Sequence, residues 1–300
     1  MMQRHVSRRL VPEFLSPAQR LRTLCIAAGI AALAVLGLFA GSAVWVVARN
    51  QAMRRPLFSG AYCDGPLRVS FSPVATPVHE EHASPAPVQA STPRASGCGT
   101  ALPAASWLPL VGFGFARSCP ACGARQSIWR VVFEVSVAAY VALVSWRQDE
   151  WLTLVSVLVF AVPLLVILLV DLWTRLIYTN VIYAGALAGF VFALADGAGA
   201  LLRSVLGLVA ATLIFAGFYL LAIALYHNTR VVPFGRGDIY LAAMIGAMVR
   251  WPAVLGALFY GIALAGVAAV LILATRRASR RQAMPYGPFL CLGALIALVL

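Results

Sequence analysis

Apolar stretches long enough to cross a bilayer recur along this 300-residue chain, and nothing else constrains its fold as much. About 20 helical residues span the hydrocarbon core. In lipid, a helix satisfies all of its own backbone groups. The reading is therefore all-α: a polytopic membrane helix bundle of about eight transmembrane helices, at 24–48, 128–146, 151–170, 177–195, 203–226, 239–250, 253–274 and 286–300. A composition that is 62% hydrophobic, with a mean hydropathy of +0.88, excludes a soluble globular domain. The first stretch is too long for a signal-peptide core and has no clear small-residue cleavage site after it, so it is kept as a span.

The chain divides into a basic N-terminal tail (1–23), the first span (24–48), a Pro-, Ser- and Cys-containing loop (49–127) and a membrane core (128–300). Within the loop, 70–97 reads by composition as disordered linker. The net charge of +13 is carried by arginine alone, since the chain has no lysine. Such charge marks cytoplasmic loops and contact with anionic lipid. No nucleic-acid module is present, so membrane lipids are expected as partners and nucleic acid is not. With the N-terminus outside, the short inner connections from the third span onward carry seven arginines: Arg175, Arg230, Arg236, Arg276, Arg277, Arg280 and Arg281. The outer connections carry three, Arg147, Arg203 and Arg250. That count puts the 49–127 loop at the cytoplasmic face of the inner membrane, although the five arginines of the tail argue the other way.

The chemistry is sought among ten acids. Glu13, Asp64, Glu80 and Glu81 lie in tail or loop, and Asp149, Glu150 and Asp196 lie in short outer turns. Glu134, Asp171 and Asp238 remain near the inner face. An ionisable residue at a membrane segment is costly and marks function by default. Asp171 taken alone fits an interfacial pair with Arg175, four residues on. Asp238 closes Gly235-Arg236-Gly237-Asp238, where two residues without Cβ let the backbone turn tightly and approach a neighbour. Two carboxylates held close share one proton. The ionised one can take a proton from water while the protonated one donates to a scissile carbonyl. This is aspartic-protease chemistry and needs no metal.

Five patches resemble the prepilin peptidases, or type IV leader peptidases, whose aspartates follow the Gly-x-Gly-Asp pattern. They are Gly41-Ser42 with Val46-Val47 and Arg49; Cys119-Pro120-Ala121-Cys122-Gly123 with Trp129-Arg130 and Glu134; Asp171-Leu172-Trp173-Thr174-Arg175-Leu176-Ile177; Gly235 to Asp238 with Leu241 and Gly246; and Pro285-Tyr286-Gly287-Pro288-Phe289 with Leu292-Gly293. The resemblance implies that Asp171 and Asp238 are the catalytic pair. Gly235, Gly237, Glu134, Pro285, Gly287 and Pro288 would support them. It implies removal of the short leader of prepilin-like proteins, after a glycine, at the cytoplasmic membrane face. In members with two functions it also implies N-methylation of the new N-terminus from S-adenosylmethionine.

Tyr178 stands where the family has proline. The first Cys-x-x-Cys is incomplete: Cys98 is present, and Ala95 stands where its partner would be. Three cysteines match, Cys98, Cys119 and Cys122, with Cys63 as the spare fourth thiol for a tetrahedral zinc site. Cys291 reads as a packing residue. His79-Glu80-Glu81-His82 lacks the four-residue histidine spacing of zinc proteases and reads as solvated loop. Three other readings are weighed. A transporter relaying protons or cations through paired acids predicts internal repeats, and none is found. A presenilin-type protease would lack the cysteine loop. A catalytically silent homologue would have to keep both aspartates without using them.

Overall fold

Long apolar runs leave the backbone no partner in lipid but itself, and in a computed structural model each run is an α-helix. The structure describes residues 17–52, 102, 108–110, 118–119, 123, 127–226, 235–275 and 285–300. The linker expected at 70–97 lies outside them. Among the described residues the helices are α1 (Pro17–Ala52), α2 (Ile128–Arg147), α3 (Trp151–Thr174), α4 (Thr179–Ala195), α5 (Ala198–Tyr226), α6 (Arg236–Val249), α7 (Ala253–Ala274) and α8 (Gly287–Val299). No strand occurs among these residues.

Local chemistry sets the helix ends. The Ser127 hydroxyl accepts from the Trp129 N–H at 3.3 Å and caps α2. At the end of α3, Arg175 takes a left-handed conformation (φ 55°), and its N–H bonds to the Asp171 carbonyl at 2.9 Å. Asp171 therefore lies in the last helical turn, and α3 runs on to Thr174 rather than stopping at Val170. Gly197 (φ 99°) makes the turn between α4 and α5, so α5 begins at Ala198, five residues ahead of the expected 203.

Five helices are long and apolar enough to cross a membrane by themselves: α1, α2, α3, α5 and α7. The others are shorter, with 17 residues in α4, 14 in α6 and 13 in α8. At 1.5 Å per residue, α6 and α8 reach only about 20 Å, against about 30 Å of hydrocarbon. They are enclosed by protein instead. α6 packs against α4, α5, α7 and α8, while α8 packs against α2, α3, α6 and α7. α3 is the central post. Its run from Leu164 to Asp171 is buried at every residue, so it is enclosed on all sides there. Trp45 of α1 stacks edge-on against Trp173 of α3, with ring centroids 5.0 Å apart, and lies 5.7 Å from Phe133 of α2.

The outer faces of α4, α5 and α7 present Leu187, Leu213, Phe259 and Val270, all exposed. In a membrane these contact lipid tails. Trp146 and Trp151 flank the α2–α3 turn and are 73% and 72% exposed, where indole rings suit the membrane–water interface.

In lipid, helices associate through close van der Waals contact, and small residues permit it. Between α5 and α6, a Cβ on Gly207 would collide with the Gly246 carbonyl oxygen, and one on Gly246 with that of Gly207. The Ser204 hydroxyl donates to the Ala247 carbonyl at 2.6 Å across the same seam, and the Trp251 N–H donates to the Arg203 carbonyl at 2.9 Å. An Asp196–Arg250 ion pair at 2.6 Å closes its far end. Gly207→Val should therefore destabilise the bundle by roughly 1–3 kcal/mol, the range for overpacking. Gly217→Ala on the same helix, where an added Cβ meets nothing within 4 Å, should stay near wild type. Thermal unfolding of the two variants in detergent micelles checks the difference.

Candidate active site

The two aspartates singled out from the sequence come together where α3 ends and α6 begins. Along α3, the twenty steps from Trp151 to Asp171 rise about 30 Å, so the carboxylate sits at the opposite face from the interfacial tryptophans. Asp238 is the third residue of α6, in its first turn. Asp171 is 4% exposed and Asp238 9%, and the two carboxylates interact electrostatically across the gap between their helices.

Each carboxylate has a backbone donor from a glycine. The Gly235 N–H donates to Asp238 Oδ2 at 3.2 Å, and the Asp238 N–H donates back to the Gly235 carbonyl at 3.2 Å, at the start of α6. The Gly287 N–H, at the start of α8, donates to the Asp171 carboxylate. Two helix N-termini, with their partial positive charge, thus converge on the acids. Gly287 must be glycine here, because an added Cβ would sit 2.5 Å from Asp171 Oδ2. Pro288 follows in the first turn of α8, where its missing N–H costs nothing, and Pro285 lies just ahead of the helix.

The Gly-x-Gly-Asp glycines serve differently from the tight turn expected of them. Gly235 holds an ordinary extended conformation (φ −88°, ψ 148°). Close approach matters at Gly237, where an added Cβ would lie 3.2 Å from Ile177 Cδ1. That contact joins the Asp171 and Asp238 segments. Between the glycines, the Arg236 guanidinium hydrogen-bonds Tyr219 of α5. Tyr178, standing for the family's proline, is the N-cap of α4 with φ −86°, an ordinary backbone conformation for either residue. Cys291, one turn into α8, is fully buried and lies within electrostatic reach of both aspartates, and Tyr286 is within reach of Asp238. Reading Cys291 as packing alone missed this proximity. Its place four residues after Gly287, on one helix face, is the signal that could have found it.

Glu134 belongs to a second buried cluster. Its side chain is fully enclosed. Oε1 accepts from Arg130 Nε at 2.8 Å, and Oε2 accepts from the Leu110 N–H at 3.0 Å. Arg130 Nη2 donates onward to the Ser42 hydroxyl at 2.7 Å. Beside it, a Cβ on Gly41 would lie 3.1 Å from Glu134 Cα, so α1 and α2 approach closely there. Two separate sequence patches, Gly41-Ser42 and Arg130…Glu134, are thereby one structural unit. The four-residue spacing of Arg130 and Glu134 was its sequence signal.

Of the cysteines expected at zinc, Cys119 is buried, and its carbonyl accepts from the Gly123 N–H at 2.9 Å. Cys63, Cys98 and Cys122 lie outside the described residues. Among the described residues no group of three or more His, Cys, Asp or Glu gathers as a metal site.

Residues 158–270, which contain both aspartates, match the type IV leader peptidase family. The chain is similar to the prepilin leader peptidase/N-methyltransferase of Bacillus subtilis (strain 168), 31% identical over 211 residues, which are 67% of this chain and 78% of that protein. The protein of the same name from Pseudomonas putida is 27% identical over 207 residues, covering 67% and 69%. That of Myxococcus xanthus (strain DK1622) is 29% identical over 182 residues, covering 60% and 52%. No solved structure matches the chain at a significant level. With its multi-pass helical architecture, its paired acids and these relatives, the chain belongs to the type IV leader peptidase family of membrane peptidases.

Proposed function

We propose that Asp171 and Asp238 are the catalytic pair of an endopeptidase that removes the leader of type IV prepilin-like proteins at the cytoplasmic membrane face. The observation that carries this reading is the meeting of two buried carboxylates from separate helices, each held by a glycine N–H. Two like charges this near in a low-dielectric site share one proton. A water between them loses a proton to the ionised carboxylate and attacks the scissile carbonyl. The protonated carboxylate gives its proton to the carbonyl oxygen. Collapse of the tetrahedral intermediate then returns a proton to the departing amine. Gly235 and Gly287 hold each acid in one orientation, so little reorganisation is needed when charge moves.

The cytoplasmic face rests on the arginine count of the short connections, and the substrate class on the family. Zinc is proposed at Cys119 with Cys98, Cys122 and Cys63. What supports it is the thiol set, a good one for tetrahedral zinc, in Cys-x-x-Cys spacing at Cys119 and Cys122. Proteolysis by the aspartates requires no metal in this scheme. Methylation of the new N-terminus, with S-adenosylmethionine as donor, is proposed as a second activity on the strength of the relatives' names.

Co-expression with a prepilin tests the central reading. Asp171→Asn and Asp238→Asn should each lower cleavage by at least about 10²–10⁴-fold, the share typical of a positioned acid or base. Thermal unfolding should stay near wild type. Cleavage by either variant at the wild-type rate would remove that aspartate from the mechanism. In the same assay, the mass of the cleaved product separates a free N-terminus from one a single methyl heavier.

Gly287→Ala probes the amide that holds Asp171. An added Cβ displaces the carboxylate, and a displacement on the order of 1 Å can cost about 10²-fold. The loss should appear in kcat with KM little changed. Gly266→Ala on α7, where an added Cβ meets nothing within 4 Å, should behave as wild type.

A further inference from the structure

A groove of about 420 Å³ runs between α2, α3 and α8, away from the paired acids. Its walls are apolar: Phe133, Val137 and Tyr140 from α2, Leu165 and Leu168 from α3, and Leu295 from α8. The polar atoms in those walls are spent internally. The Tyr140 hydroxyl donates to the Leu295 carbonyl at 3.2 Å, and the Ser136 hydroxyl donates to the Val132 carbonyl at 2.7 Å. Among the described residues Arg147 is the one charged residue that lines the groove, and it stands at one end. Asp149 and Glu150, on the neighbouring turn, do not line it.

We propose that this groove binds one anionic phospholipid, with an acyl chain between the three helices and the phosphate on Arg147. Position supports this. Arg147 lies next to Trp146 and near Trp151, both exposed as interfacial rings are, so its guanidinium is at headgroup level. From there to Phe133 the groove follows α2 for about 21 Å, long enough to take a chain through one leaflet. The lining favours an acyl chain over a peptide, because the polar atoms in the walls that a peptide could meet are already bonded internally. Charge decides among lipids, because a basic group at the surface favours an anionic headgroup.

Native mass spectrometry of the full-length chain in detergent, titrated with phosphatidylglycerol and with phosphatidylcholine of the same acyl chains, tests the site. Wild type should bind one phosphatidylglycerol about fivefold more tightly than phosphatidylcholine, as one basic contact predicts. Arg147→Gln should abolish that preference while keeping chain binding. Ile296→Trp and Leu143→Trp, each filling the groove from a partly exposed position, should reduce binding of both lipids. Either tryptophan variant suffices if the other does not fold. The proposal is overturned if wild type shows no preference, if Arg147→Gln retains it, or if the folded tryptophan variants bind both lipids like wild type. It is equally overturned if those variants raise the KM for a prepilin while lipid binding is unchanged, since the occupant would then be a peptide.

Discussion

A carboxylate taken out of water keeps its place in a fold only where donors replace the water it lost. Two of them in one bundle double that demand, and the arrangement of α3, α6 and α8 answers it. Asp171 arrives at the enclosed end of α3, and its donor comes from the first turn of α8. Asp238 takes its donor from the residue that starts its own helix. One acid is therefore organised by tertiary packing and the other by a local cap. The steric demand differs between the two: a side chain at Gly287 would crowd the Asp171 oxygen, whereas a Cβ at Gly235 would stand 3.6 Å from Asp238 Oδ2, an ordinary contact.

Those positions in turn depend on how tightly the helices approach. Lipid offers little drive for apolar surfaces to associate, so the bundle relies on contacts that only small residues allow. Gly207 against Gly246 fixes α6 on α5, and Gly293 against Gly261 fixes α8 on α7. The Arg130–Glu134–Ser42 cluster joins α1 to α2, with a buried ion pair at 2.8 Å. Losing one member of such a pair leaves an uncompensated buried charge. Both seams thus combine close approach at a glycine with a polar link: Gly41 and the Arg130–Ser42 bond between α1 and α2, Gly207 and the Ser204–Ala247 bond between α5 and α6.

Much of this could be read from residues alone. Apolar run length gave the order of the helices among the described residues, and α7 begins and ends at the expected residues. The acids could be sorted by elimination because only ten exist. Helix ends were harder. α3 passes its aspartate because Arg175, not a glycine, makes the left-handed stop, and α6 begins at Arg236 because Gly235 caps it. Neither choice is set by hydrophobic pattern. The link from the Arg130–Glu134 pair to α1 was hidden for another reason. Ser42 is 88 positions from Arg130, a separation that no periodicity spans. Cys291 was read as packing because its link to the acids runs through Gly287, four residues earlier on the same helix face, and not through its own residue type.

The Gly287 amide has a consequence for the order in which the molecule is made. Ribosomes deliver α3 and α6 to the membrane before α8 exists. During that interval a nascent chain holds both aspartates, yet Asp171 has no amide to orient it and α8 does not close over the pair. The acids therefore reach their final geometry only once the helix that supplies the Gly287 amide is in place.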